Sequence, residues 1–116
     1  MVLRRTYSVK ELSASMNYVS ERLREAKWYG QAFGIRDASR EIRVDMRLAE
    51  LCAFASSLDG RLGWFHIALE AFYEVNGDGE YDPALTNVFQ THIRFLRSFA
   101  HRAKWPWSRL TVKLVP

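Results

Sequence analysis

The stretch DPALTNVFQTHIRFLRSFAHRA, from Asp82 to Ala103, places Leu85, Phe89, His92, Leu96, Phe99 and Ala103 at alternating spacings of four and three. That is the repeat of one helix face. Asp82 is a capping residue, and Pro83 suits the first helical position, where its missing amide removes nothing. Pro106, between Trp105 and Trp107, closes the helix because it cannot donate to the preceding turn. His92 falls on the apolar stripe and reads as a hydrogen-bonded core histidine. The opposite face is basic, with Arg94, Arg97, His101 and Lys104 spaced three, four and three, Arg102 beside them, and Arg109 and Lys113 following.

Working outward, Asn76-Gly77-Asp78-Gly79 is a turn, and before it Leu62, Phe65, Leu69 and Phe72 predict a third helix. His66 lies within that helix and reads as structural. Asp59-Gly60 either separates the third helix from a central second one, capped at Asp37 or Ser39, or bends a single long helix at Gly60. The second helix carries two apolar stripes, Ile42, Met46, Ala49 and Ala53 on one side and Val44, Leu48, Leu51, Ala55 and Leu58 on the other. A break is expected near residues 30–36, where Gly30 and Gly34 follow Trp28 and Tyr29. The first helix opens at the capping box Ser8-Val9-Lys10-Glu11 and carries Val9, Leu12, Met16, Val19, Leu23 and Ala26 on one face. The ends, 2–7 and 110–115, alternate loosely and predict two short strands that either pair within the chain or pair with a second subunit. The expected fold is therefore all-α, a compact bundle of about four helices in a single domain spanning 1–116, with short strand-like termini. The unpaired alternative for the strands predicts a homodimer.

The chain has 116 residues, 48% of them hydrophobic and 26% charged, a globular composition that excludes disorder. No apolar run approaches the roughly 18 residues of a membrane span, nor is there a signal-peptide stretch, so a cytoplasmic protein without membrane attachment is expected. Cys52 alone allows no internal disulfide, and Cys52, His66, His92 and His101 match no zinc spacing. No metal or cofactor is expected. No glycine-rich phosphate loop or nucleophile-elbow sequence is present, which removes nucleotide-binding and hydrolase readings.

The net charge is +4, and its distribution is uneven. Residues 83–116 hold six basic residues and no acidic one, whereas all 13 acidic residues lie in 1–82. Like charges on one helix face repel, and an anionic partner relieves that repulsion. Arg94, Arg97, His101, Arg102, Lys104, Arg109 and Lys113 are accordingly the candidate contacts to nucleic acid or another anionic surface. Trp105 and Trp107 are candidates for stacking on bases or for an interface, unless they close the end of the core as such rings commonly do. A second row, Arg36, Arg40, Arg43 and Arg47, is interleaved with Asp37, Glu41, Asp45 and Glu50 and reads as a self-paired solvent face. With no helix-turn-helix signature, such contacts confer affinity without base discrimination.

Two local resemblances bear on function. Glu74 to Asp82 resembles the start of a calcium-binding EF-hand loop, although glutamate stands first, Pro83 falls inside the loop and Leu85 occupies the twelfth position. A glycine-rich turn followed by a capping aspartate accounts for the same residues. Arg94, Arg97 and His101 on one side of a late helix are similar to the motif of HEPN-type ribonucleases, in which histidine and arginine act on the scissile phosphate. That resemblance implies RNA cleavage, but Phe95 follows Arg94 where the motif has a polar residue. The principal expectation is a non-enzymatic basic helical protein that binds nucleic acid, or a protein of a nucleic-acid-handling complex, through the fourth helix and C-terminal segment. The alternatives are an interaction module (an accessory subunit, adaptor or inhibitor docking on a larger protein) and a HEPN-like ribonuclease.

Overall fold

The computed structural model describes residues 4–63 and 83–116. Its elements are β1 (Arg5–Ser8), α1 (Val9–Glu25), α2 (Tyr29–Glu41), α3 (Leu48–Gly63), α4 (Pro83–Ala103), α5 (Ser108–Thr111) and β2 (Val112–Val115). The fold is helical with two short terminal strands, as the periodicity predicts. The helix expected to begin at Leu62 is described only to Gly63, where it is the end of α3, and its remainder, the turn at 76–79, the EF-hand-like stretch and the cap at Asp82 lie outside the described residues.

α1 starts where its capping box places it. Ser8 has extended backbone, its hydroxyl accepts from the Glu11 amide at 3.2 Å, and it donates to the Pro116 carbonyl at 2.8 Å. One serine thus caps the first helix and ties it to the last residue. The helix ends in a Schellman motif: the Trp28 amide donates to Leu23 O and the Lys27 amide to Arg24 O, both at 2.9 Å. Lys27 takes the left-handed position, with φ 68°. Trp28 then packs against the core as the motif's apolar clasp.

That motif corrects the expected break at 30–36. The chain turns at 26–28, and α2 runs straight through Gly30 and Gly34 because Ala32, Ile35 and Ala38 are buried on one face. Tertiary burial outweighs the roughly 1 kcal/mol that each helical glycine costs. The second helix also starts and ends earlier than expected, so that Asp37 and Ser39 lie inside it rather than capping it. It stops at Glu41, Ile42 is extended yet buried, and α3 begins at Leu48 and continues through Asp59-Gly60. Glu50 fixes this start by accepting from the Arg47 amide at 3.1 Å and from Arg43. The two apolar stripes assigned to one helix are thus two phases separated by a turn. In α3 the buried set is Leu51, Phe54, Ala55, Leu58 and Leu62.

α4 buries Thr86, Phe89, Ile93, Leu96, Phe99, Ala100 and Ala103. Its inner face is centred on Ile93, which leaves His92 at the margin rather than within the core. α1 packs on α2 and α4, and α3 packs on both as well, so the four long helices close a ring around one apolar cluster. Phe99 is fully buried, with its ring 5.1 Å from Tyr7 and 6.5 Å from Phe54. Burial of such a side chain contributes about 1.5–3 kcal/mol.

The termini pair with each other in parallel, Arg5 opposite Val112 and Ser8 opposite Val115. This removes the premise, unpaired terminal strands, on which the homodimer expectation rested. It also brings the N-terminal arginines alongside the basic C-terminal segment.

Candidate nucleic-acid interface

The fourth helix carries the predicted row on its outer side. Arg94 and His101 are exposed, and Arg97 and Arg102 are half-buried. Arg94 and Arg102 form no ion pair with any described residue. Lys104 differs. Its ammonium lies 3.0 Å from the Asp59 carboxylate of α3, and both side chains are largely shielded from solvent. The same nitrogen stands 5.4 Å from the centre of the Trp105 ring.

Beyond Lys104, Pro106 turns the chain, and the corner is anchored from beneath. The Trp105 carbonyl accepts from Cys52 Sγ at 3.0 Å and from the Ser108 amide at 3.0 Å, with Ser108 itself fully buried. On this mount the two tryptophan rings lie parallel, 5.5 Å apart and inclined by 2°. They do not close the core. Trp105 is 42% and Trp107 55% exposed, with Leu110 beside them in sequence at 63%. His101 meets Trp105 edge-on at 6.4 Å.

Arg109 and Lys113 go elsewhere. They line a pocket of about 200 Å³ together with Arg4, on the side of β2 that faces the α2–α3 turn. Sequence reading missed Arg4. Parallel pairing of the termini is the signal that brings it there, since Arg5 lies opposite Val112.

In the second basic row, Arg36 and Arg40 lie on α2, and Arg43 and Arg47 fall in the turn. The expected acid pairing holds for Arg43, with Asp45 at 3.2 Å and with Glu50, across the turn rather than along a helix. The Arg47 amide, followed by the Arg43 guanidinium, holds the Glu50 carboxyl below the usual carboxylate range.

His92 sits between α1 and α4. Its Nδ1 is 2.5 Å from Ser15 Oγ, its ring stacks on Tyr18 at 4.4 Å, and burial holds its pKa below the usual imidazole value. These side chains, with Glu11, Thr91 and Phe95, line an open groove. Among the described residues, no three of histidine, cysteine, aspartate and glutamate come together to hold a metal, and no helix is long and apolar enough to cross a membrane. Compared with known proteins, the chain matches no family model, no curated protein and no solved structure.

Proposed function

We propose that the protein is a non-enzymatic binder of single-stranded nucleic acid, using the outer face of α4 for phosphates and the Trp105–Trp107 corner for bases. The observation that carries this reading is the exposed, parallel tryptophan pair at the end of a helix whose Arg94 and Arg102 have no acidic partner among the described residues. An aromatic face beside arginines that have no acidic partner among the described residues is what a strand needs, one for its bases and the other for its backbone. Every base has such a face, so the contact tolerates any sequence. A duplex hides its bases and would gain only the phosphate contacts.

The test is fluorescence anisotropy with labelled single-stranded and duplex oligonucleotides across a salt series. Trp105→Ala with Trp107→Ala is expected to weaken single-strand binding by about 1–3 kcal/mol per lost stack while changing duplex binding little. Equal binding by the double variant and the native chain, or affinity no better than the roughly 100 μM of weak nonspecific attraction, overturns the reading. The corner would then be examined as a protein-docking patch.

A further inference from the structure

The pocket at the sheet end combines two chemistries that a nucleic-acid backbone does not use together. Its floor is apolar, with Leu51 and Val112 buried and Met46 and Leu114 partly so. Its remaining lining includes Arg4, Arg109 and Lys113, all exposed. None of the three forms an ion pair with a described residue. The carboxylates closest in sequence to the floor, Asp45 and Glu50, are already held by Arg43. Three cations therefore ring a small site with an apolar floor, and none of them has an anionic partner among the described residues.

We propose that this pocket binds a small amphiphilic anion, a carboxylate carried on a short aliphatic body. Size sets the length of that body. A dry cavity of roughly 150 Å³ accommodates benzene, so an open pocket of about 200 Å³ suits a short aliphatic chain. Charge sets the head group, because an arginine fork matches a carboxylate with two parallel hydrogen bonds and lysine adds a point charge. The apolar floor excludes inorganic anions as the preferred occupant, since they would cover Met46 and Leu51 without gaining from it. The site is independent of the tryptophan corner, and the proposal stands whether or not the chain binds nucleic acid.

The experiment is a titration of the full chain with octanoate, followed by calorimetry and by the ε-methyl NMR signals of the methionines. Octanol and acetate serve as body-only and head-only controls. Saturable octanoate binding is expected to shift the Met46 methyl and leave the fully buried Met16 methyl in place. Arg109→Ala with Lys113→Ala is expected to weaken octanoate binding by about tenfold per cation removed and to leave octanol unaffected. These side chains are exposed, so their loss leaves the core intact. Octanoate binding no tighter than octanol or acetate overturns the proposal. So does saturable binding that leaves the Met46 signal unmoved, or no saturable binding at all.

Discussion

Lys27 occupies a backbone conformation that suits glycine. A left-handed φ of 68° brings Cβ close to the following carbonyl, a cost of roughly 1–2 kcal/mol for a residue with a side chain. The Schellman bonds require that conformation, so Lys27→Gly is expected to raise stability by about 1 kcal/mol, read as a higher urea midpoint at unchanged slope. His92 supplies a second expectation, this one in pH. Burial favours its neutral ring, so its folded pKa lies below that of the unfolded chain and the unfolded state takes up protons first. Stability is then full above the ordinary imidazole value of 6.5 and declines as pH falls from there through the folded pKa. Urea midpoints measured from pH 8 to 5.5 should show this decline, and His92→Gln should flatten it. Glu50 does not interfere, because its loss of charge falls below pH 4.5.

α1 and α4 were legible because a start signal and one continuous apolar stripe agree in each, and Pro106 marks the end of α4. Ser8 and Pro83 start them, one apolar face runs their length, and neither contains glycine. α2 and α3 were misplaced because local signals conflict with packing. Gly30 and Gly34 look like terminators, but the true terminator is a lysine in a glycine's conformation, which composition does not reveal. Ile42 and Val44 look like a continuing stripe, yet Ile42 is buried from an extended backbone and Val44 is exposed. If α2 is continuous through Gly34, alanine should fit. A Cβ built there meets only Arg61 Cδ at 3.7 Å, an ordinary contact. Gly34→Ala is therefore expected to stabilise the protein by about 0.5–1 kcal/mol, while a chain that turned at Gly34 would be destabilised. Thermal melts of the two proteins decide between these outcomes.

Across the molecule, helical spacing revealed the basic row, but pairings between distant elements were hidden from it. Hydrophobicity suggested burial for Trp105 and Trp107, whereas their anchored backbone turns both rings outward. Lys104 looked equivalent to Arg94, yet Asp59, 45 residues away in sequence, neutralises it. The net charge of +4 therefore overstates what a polyanion meets at this corner. The consequence appears in salt dependence, where each phosphate neutralised on a single strand contributes about 0.7 to the log–log slope. Arg94→Ala is expected to lower the slope by about that amount, whereas Lys104→Ala leaves it nearly unchanged because its charge is already engaged by Asp59. Asp59→Asn releases the lysine and should steepen the slope by up to about 0.7. Its cost in stability stays small, since partly exposed pairs contribute about 1 kcal/mol or less. Equal slope changes for Arg94→Ala and Lys104→Ala would mean that the strand displaces Asp59 on binding, and the Asp59→Asn slope would then match that of the native chain.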